Sequence, residues 1–166
     1  MHYFFAVNNL TIRPLHGDAE ARDCTARLME FGPWRTLGIP AEKLFQDLTN
    51  PQREVFVAEL GSQIVGVLIL HRGGSFDGYL QLLAVFPEFQ NRRLGEKIMG
   101  FAEDKIFQRS KNVFLCVSDF NPRAQKFYER LGYKKVGELE NFLVTGQNEI
   151  LLRKTKGPVL GFVPQK

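Results

Sequence analysis

The chain has 166 residues, 44% of them hydrophobic, and a net charge of +4 at pH 7. This length and apolar content suffice for one domain whose buried core needs no disulfides. The sequence contains no run of eighteen apolar residues, so we predict no membrane span. The basic residues are scattered and not interleaved with aromatics, which argues against a nucleic-acid-binding protein.

The cysteines and the first residues of the chain bear on its compartment. Cys24 and Cys116 both fall in apolar patterns, and their spacing matches neither a disulfide framework nor a metal site. The segment 1–7 has no basic stretch before its apolar residues, so it is a poor signal peptide. We therefore expect a protein of the reducing cytoplasm that binds no metal.

The amino-terminal third of the chain predicts one strand followed by two helices. Thr11–Pro14 predicts the strand. Asp18 is a good cap for a first helix that Gly32–Pro33 ends, and a second helix should run from Ala41 to about Leu48. The apolar positions of the first helix are Ala21, Cys24, Leu28 and Phe31.

Three strands should follow these helices. Glu54–Leu60 and Gln63–Leu70 predict a hairpin around Gly61–Ser62. Residues 79–86 are almost continuously apolar, which is typical of a buried strand. Pro87 should end that strand, because proline has no N–H for a ladder hydrogen bond.

The segment Phe89–Gly95 connects this buried strand to an amphipathic helix. One face of that helix carries Leu94, Ile98, Phe101, Ala102 and Ile106. A helix amino terminus offers free N–H groups and the positive end of the helix dipole, and both favour a phosphate. The segment therefore predicts a phosphate-binding turn, although a solvated corner with two arginines is the plainer alternative.

A second segment, Asn121–Tyr133, follows the predicted strand Val113–Val117. Asn121 is a good N-cap, Pro122 suits the first helical position, and Gly132 suits the position after the last turn. The buried stripe of this short helix would be Ala124, Phe127, Tyr128 and Leu131.

Two further strands are predicted at Lys135–Leu139 and Glu149–Arg153, where Ile150 and Leu152 alternate with Leu151. The tail 157–166 contains two prolines and two glycines, and the sequence assigns it no role.

Together the two segments resemble the acyl-CoA-binding core of the GNAT superfamily of N-acetyltransferases. That family carries Gln/Arg-x-x-Gly-x-Gly/Ala after its fourth strand and Asn-x-x-Ala-x-x-Phe-Tyr-x-x-x-Gly-Phe/Tyr after its fifth. The second pattern is matched from Asn121 to Tyr133. The first is matched at Gln90 and Gly95, but Arg93 stands where the family has its middle glycine. The resemblance spans residues 10–154.

The resemblance implies an α/β (α+β) fold in which a mostly antiparallel, six- to seven-stranded sheet carries about four helices on its two faces. The sheet would be splayed between strands 4 and 5. The domain would cover residues 10–156, with the tail 157–166 outside it. Acetyl-CoA would be the co-substrate, and its pantetheine arm would complete the sheet at the splay.

The resemblance also implies the residues that bind acetyl-CoA. They would be Leu83, Ala84, Val85, Gln90, Asn91, Arg92, Arg93, Leu94, Gly95, Glu96, Asn121 and Tyr128. Two of them would be catalytic: the Val85 N–H would polarise the thioester carbonyl, and the Tyr128 hydroxyl would protonate the leaving thiolate. Without the motif, Tyr128 would be an ordinary core aromatic.

The acceptor side is less well specified by the sequence. Phe31, Trp34, Asp77 and Tyr79 are the candidate substrate residues, with Phe31 and Trp34 forming either an aromatic wall or a capped helix end. Cys116 stands where some relatives have a glutamate base, and we expect it to be a small core residue. Deprotonation would then pass through water towards Asp77, His71 or a backbone carbonyl.

Two functions remain open at this point. The first is transfer of an acetyl group from acetyl-CoA to a primary amine of a small molecule or protein, by direct attack in a ternary complex. The second is a non-catalytic acyl-CoA-binding module or sensor. In either case we expect no nucleic-acid or membrane partner, and a monomer or homodimer.

Overall fold

The computed structural model describes residues 9–71, 73 and 77–163. The segment 1–7, which is a poor signal peptide by sequence, lies outside these residues. The described residues form seven strands and five α-helices. In chain order these are β1 (Leu10–Pro14), α1 (Gly17–Met29), α2 (Gly32–Leu37), α3 (Ala41–Thr49), β2 (Arg53–Leu60), β3 (Gln63–His71), β4 (Tyr79–Val85), α4 (Leu94–Phe107), β5 (Asn112–Ser118), α5 (Pro122–Arg130), β6 (Lys134–Leu139) and β7 (Glu149–Thr155).

The strands form one sheet in the order β1-β2-β3-β4-β5-β7-β6. Every neighbouring pair is antiparallel except β4 and β5, which are parallel. The predicted fold class, a mostly antiparallel sheet of six to seven strands, is confirmed. Among the described residues no helix has the length and apolar character needed to cross a membrane.

The first helix differs from its prediction at both ends. Asp18 does not cap it; the N-cap is His16, whose N–H donates to the Glu20 carboxylate at 2.6 Å. A carboxylate one turn into a helix can satisfy a free N–H at its start, so Glu20 replaces a capping side chain. Phe31 is also not part of α1, because it is the N-cap of a separate helix, α2.

Helix α2 was not predicted, since Gly32–Pro33 is typical of a break between helices. Gly32 has a φ of 66°, which separates the two helix axes. Pro33 then occupies the first turn of α2, where its missing N–H costs no helical hydrogen bond. The same two residues therefore end one helix and begin the next.

The remaining predicted elements are confirmed. The β2–β3 hairpin closes around Gly61–Ser62, with Leu60 paired to Gln63. Asn121 caps α5 by accepting the Ala124 N–H at 3.1 Å, and Gly132 follows the helix with a φ of 89°.

The core is centred on α4 and the middle of the sheet. Helix α4 contacts β3, β4 and β5, while α1 packs against α2 and α3. The side chains of α4 that are fully or almost fully buried are Leu94, Ile98, Met99, Ala102 and Ile106. This apolar packing holds the amino terminus of α4 in a fixed position beside the end of β4.

Strands β4 and β5 pair over only two positions, Tyr79 with Phe114 and Leu80 with Leu115. Gly78 closes this junction: its φ is 93°, and a Cβ there would lie 2.1 Å from the Asn112 carbonyl oxygen. Within the described chain the two strands form no further pair after Leu80 and Leu115, so the predicted splay is confirmed.

Candidate functional site

The diverging strands border a cleft of about 910 Å³. Its sides are formed by the carboxyl-terminal halves of β4 and β5, the turn before α4, one side of α5, and α2. Separate parts of the chain thus meet at the gap in the sheet. Most of the residues predicted from the two sequence segments lie around this cleft.

The edge of β4 that faces the gap carries backbone groups without a strand partner. Phe86 N–H donates to Val65 O at 2.9 Å, and Ala84 lies opposite Val67 in the same ladder. Because backbone groups alternate between the two edges of a strand, Leu83 and Val85 turn theirs towards the gap. Ala84 instead turns its backbone groups towards β3, so Leu83 and Val85 are the two that an inserted ligand can reach.

The turn before α4 presents a row of backbone donors. Among the described residues, none of the N–H groups from 91 to 96 donates to the protein, and the first helical bond is Lys97 N–H to Arg93 O at 3.3 Å. Asn91 and Arg93 both have positive φ, 63° and 57°. This geometry leaves free donors at the amino terminus of a 14-residue helix, an arrangement that binds anions.

Arg93 has a backbone conformation that favours glycine. It is the N-cap of α4 and lies in the left-handed region, with ψ at 15°. The turn therefore places a non-glycine residue where glycine would be less strained. Arg92 is anchored differently: its guanidinium donates to Glu88 O at 3.1 Å and lies over the Phe89 ring.

Arg123 links the two motif segments, and the sequence did not single it out. Its guanidinium donates to Gln90 Oε1 at 3.1 Å and to Asn91 Oδ1 at 2.8 Å. Gln90 in turn donates to Val85 O at 3.0 Å, so of the two Val85 backbone groups that face the gap the carbonyl oxygen is occupied by Gln90. The available signal was a basic residue two positions after the α5 cap, within the second motif.

Tyr128 lies in the second half of α5. Its side chain is 7% exposed, and its ring meets Phe127 and Tyr133 edge-on, with centroids 5.1 and 5.7 Å away. It lines the cleft, and within the described residues its hydroxyl has no hydrogen-bond partner. Burial raises the pKa of Tyr128, so the hydroxyl stays protonated and can donate.

Gly95 and Glu96 line the cleft at the start of α4. Gly95 leaves space beside the Phe127 ring and Val85: a Cβ there would lie 3.4 Å from the first and 4.0 Å from the second. Glu96 is exposed in the first turn of α4, and only its N–H points to a role in anion binding. The Leu94 side chain is almost fully buried, so only its backbone is open to a ligand.

The α2 side of the cleft has an aromatic wall. Phe31 and Trp34 both line the cleft, with ring centroids 5.6 Å apart in an edge-to-face arrangement. Phe31 also meets the fully buried Phe86 ring at 6.1 Å. Phe31, at the start of α2, and Trp34 within it therefore form an aromatic wall on this side of the cleft, and Phe31 is at the same time the N-cap of that helix.

The other two candidate substrate residues lie deeper or further away. Tyr79 contacts Cys116, which lines the cleft. Asp77 is not brought to the cleft: its carbonyl accepts a hydrogen bond from Ser110, and its carboxylate lies 3.9 Å from Arg109 Nε. It therefore sits at the closed end of the β4–β5 junction.

His71 does not line the cleft but contacts Gln81, which does. His71 Nε2 lies 2.6 Å from Gln81 Oε1, and Gln81 Nε2 donates to Asp47 Oδ2 at 3.0 Å. Gln81 lines the cleft, but an amide does not take up a proton at neutral pH. This network ties α3 to β4.

Cys116 is half-buried and lines the cleft, whereas the sequence predicted a core position for it. Burial raises the pKa of the Cys116 thiol, with the Glu149 charge acting in the same direction. A protonated thiol is a poor nucleophile, so Cys116 is unsuited to form an acyl intermediate.

The sequence also missed a carboxylate in the cleft. Glu149, at the start of β7, is 4% exposed and accepts a hydrogen bond from Ser118 at 2.6 Å. Its partner is 31 residues away along the chain, so no local pattern indicates the pair. Within the described residues, no group of three or more His, Cys, Asp or Glu side chains could hold a metal ion.

Comparison with known proteins places this architecture among acetyltransferases. A family model described as "Acetyltransferase (GNAT) family" matches residues 21–133. N-alpha-acetyltransferase 30 of Schizosaccharomyces pombe is 28% identical over 96 residues, which are 55% of this chain and 64% of that protein. The first curated relatives are matched over only 56 to 64% of their own length.

Solved structures share the fold over most of their length. An acetyltransferase from Thermus thermophilus has a TM-score of 0.70 at 21% identity, covering 89% of this chain and 97% of that one. Spermidine N-acetyltransferase from Vibrio cholerae, in complex with CoA and spermine, has a TM-score of 0.68 at 18% identity, covering 90% and 96%. At these identities the likeness concerns the fold.

Proposed function

This chain belongs to the acetyltransferase (GNAT) family, and on that premise we propose that it transfers an acetyl group from acetyl-CoA to a primary amine by direct attack in a ternary complex. The observation that carries the proposal is the open edge of β4 next to the free N–H groups before α4. The first suits an extended amide-containing chain and the second suits a pyrophosphate. Acetyl-CoA contains both: its pantetheine arm is an extended chain with two amides, and a pyrophosphate is attached to one end of that arm.

The residues at the cleft fit this co-substrate. The backbone N–H groups from 91 to 96 would hold the pyrophosphate, with Arg92, Arg93 and Arg123 adding positive charge around it. Leu83 and Val85 would pair with the pantetheine amides, as a neighbouring strand does. Asn121 is engaged in capping α5 through its side-chain oxygen, so its amide nitrogen is the part available to a ligand.

Acetyl-CoA supplies an activated acyl group, and the protein positions and polarises it. The Val85 N–H, which faces the gap, would donate to the carbonyl oxygen of the thioester as negative charge develops there. The Tyr128 hydroxyl would donate a proton to the departing sulfur. An alkylamine with a pKa near 10.4 is protonated at pH 7, and making it neutral costs roughly 4 kcal/mol.

The test has two stages. Calorimetry measures acetyl-CoA binding to the full chain, and a thiol-release assay then measures transfer to a set of primary amines. The set includes spermidine and peptides with a free α-amino group, the acceptors that the names of relatives suggest. Binding with turnover on at least one amine supports the proposal, and no binding overturns it.

Binding without turnover on any amine would favour the alternative, a non-catalytic acyl-CoA sensor. The replacement of the middle glycine by Arg93 favours that alternative, since a Cβ can obstruct the approach of a pyrophosphate. Against it, the N–H groups from 91 to 96 have no partner among the described residues although Arg93 stands in the turn.

We also propose that residues 10–156 form the acetyltransferase domain and that the tail 157–166 lies outside it. Within the described part of the tail, Leu160 is 93% exposed, which fits a segment with little role in the core. A cytoplasmic location and a monomer or homodimer remain predictions from the sequence.

A further inference from the structure

Glu149 is a buried carboxylate without a positively charged partner. It is 4% exposed, Ser118 donates to its Oε1 at 2.6 Å, and within the described residues no Lys, Arg or His forms an ion pair with it. Burying an unpaired carboxylate is costly, so such a group is retained where it has a use. Its location is the cleft already described.

The register of the sheet places Glu149 at the depth where the thioester would lie. The last β4–β5 pair is Leu80 with Leu115. Ser118 on β5 lies three positions further, and so does Ala84 on β4, because β4 bulges between Leu80 and Leu82. At about 3.3 Å per residue both lie roughly 10 Å beyond that pair, on opposite sides of the gap. Glu149, on β7, is directly opposite Ser118, on β5. Asp119 N–H donates to Asn148 O, so the Ser118–Glu149 pair is a non-hydrogen-bonded pair of the ladder, in which side chains approach closely.

The groups around Glu149 leave its charge uncompensated. Cys116 on β5 and Tyr79 on β4 are neutral, since burial raises the pKa of each. Asp119, which follows β5, is a like charge, and Leu139 is opposite on β6. The Tyr128 hydroxyl, on α5, is also neutral, because burial raises the pKa of Tyr128.

None of the described cations that line the same cleft forms an ion pair with Glu149. Arg93 is the N-cap of α4, and Arg123 bonds the turn before that helix. Arg130 donates to Lys126 O at 3.5 Å. A cation that arrives with the ligand would compensate the charge of Glu149.

We propose that Glu149 binds the ammonium group of the acceptor and takes its proton. This inference rests on the proposed acetyltransferase function and names the acceptor class: a cationic primary amine whose apolar part packs on the wall of Phe31 and Trp34. An N–H bond of the ammonium breaks and the proton passes to the Glu149 carboxylate. The neutral amine then forms the C–N bond to the acyl carbon, and the C–S bond breaks.

The protons balance in this sequence. The sulfur takes one proton from the Tyr128 hydroxyl. The nitrogen, once bonded to the acyl carbon, gives up its second proton, which passes to the Tyr128 oxygen and restores the hydroxyl. The proton held by Glu149 leaves to solvent when the acetylated product, which carries no charge at that nitrogen, departs. The products are an amide, the free thiol of CoA and one released proton.

The test compares Glu149→Gln with wild type, using Glu140→Gln as the matched control. Glu140 is an exposed carboxylate just after β6, outside the cleft. At pH 7, Glu149→Gln should lower kcat/KM for the amine at least 100-fold, while the acetyl-CoA Kd stays within twofold. Glu140→Gln should change neither quantity.

The pH profile separates a proton acceptor from a merely structural carboxylate. In wild type, kcat/KM should reach a plateau above the pKa of Glu149, which burial raises. In Glu149→Gln it should rise about tenfold per pH unit up to the pKa of the amine, because only the free amine then reacts. Identical profiles in the two proteins would overturn the inference.

A second variant keeps the test valid if Glu149→Gln does not fold. Ser118→Ala removes the hydrogen bond that lowers the pKa of Glu149, so the acid limb of the wild-type profile should move to higher pH. An unmoved limb contradicts the inference. Wild-type protein that binds acetyl-CoA but acetylates no amine contradicts the proposed function itself, a different outcome from either of these.

Discussion

Arg93 is the residue at which backbone strain and ligand binding meet. A non-glycine residue in the left-handed conformation costs about 1–2 kcal/mol, and Arg93 has a φ of 57° at the N-cap of α4. The strain is retained where the side chain adds positive charge beside a predicted phosphate site. Stability and binding therefore make opposite demands at this position.

Replacing Arg93 by glycine should raise the free energy of unfolding. Relief of the left-handed strain, less the greater backbone entropy of glycine in the unfolded chain, leaves a gain of about 0.5–1 kcal/mol. Urea unfolding measures it. The matched control is Arg92→Gly, which removes the same charge at a residue without positive φ and should lower stability. Equal effects of the two changes would contradict the strain argument.

Tyr128→Phe should reduce turnover by a factor of roughly 10² to 10⁴. The ring contacts with Phe127 and Tyr133 remain, and the hydroxyl has no partner among the described residues, so the melting temperature and the acetyl-CoA Kd should hardly change. Steady-state kinetics and calorimetry check the two parts.

The control for this change is Tyr133→Phe. Its hydroxyl donates to Glu103 at 3.1 Å, outside the cleft. Its loss should cost about 1 kcal/mol of stability and leave turnover intact. If Tyr128→Phe were as active as wild type, Tyr128 would be a core aromatic only.

At the residue scale, some roles could be predicted from the sequence and others could not. Asn121 and Gly132 were predictable because a cap and a positive φ are local requirements. Glu149 and Arg123 were not, because each acquires its role from a partner more than thirty residues away. Asp77 was placed with the acceptor only because it precedes β4, and the register puts it at the opposite end from the cleft.

At the scale of elements, the start of α4 is the part most sensitive to added volume. Gly95→Val should weaken acetyl-CoA binding at least tenfold, or about 1.4 kcal/mol. The reason is space: a Cβ alone would already contact Phe127 and Val85, and the added methyl groups would stand beside the free N–H groups. Calorimetry on the folded variant measures the change.

Gly100→Val is the matched control for Gly95→Val. Gly100 lies on the exposed side of the same helix, and a Cβ there would meet nothing within 4 Å. It carries the same helical cost of a β-branched residue, so acetyl-CoA affinity should be unchanged. An equal loss in both variants would mean that α4 is merely destabilised and that the turn binds no phosphate.

The elements of the fold were largely predictable, with one instructive exception. The β2–β3 hairpin and α5 have strong local signals at their ends, and both were assigned correctly. Helix α2 has six residues and begins with Gly32–Pro33, so its sequence resembles a connection. Its packing against α1 is a tertiary contact that no local pattern indicates, and Phe31 and Trp34, in ring contact with each other, line the cleft.

Considered as a whole, the molecule should lose stability in alkaline solution. Burial raises the pKa of Cys24 to about 12 and raises the pKa of Tyr79, Tyr128 and Tyr133. Above about pH 9, the unfolded chain releases protons that the folded chain keeps. The unfolded state then binds fewer protons, so the free energy of unfolding falls as pH rises.

Urea unfolding between about pH 7 and pH 11 measures this decline. Stability should be steady near neutral pH and fall progressively above about pH 9. Tyr79→Phe should make the fall shallower, because one buried phenol no longer titrates in the unfolded state. A stability that stays flat across this range would contradict the burial of these groups.

The two-pair junction between β4 and β5 has a mechanical meaning for the whole molecule. On one side of it lie β1 to β4, and on the other lie β5, β7 and β6, each a contiguous stretch of chain with its own complete ladders. Helix α4, the short contact at Gly78 and the bonds of Arg123 bridge the two halves of the sheet. A ligand that contacts both β4 and β5 in the cleft would add a further connection between the two halves of the sheet. The relative motion of the two halves would then depend on whether the cleft is occupied.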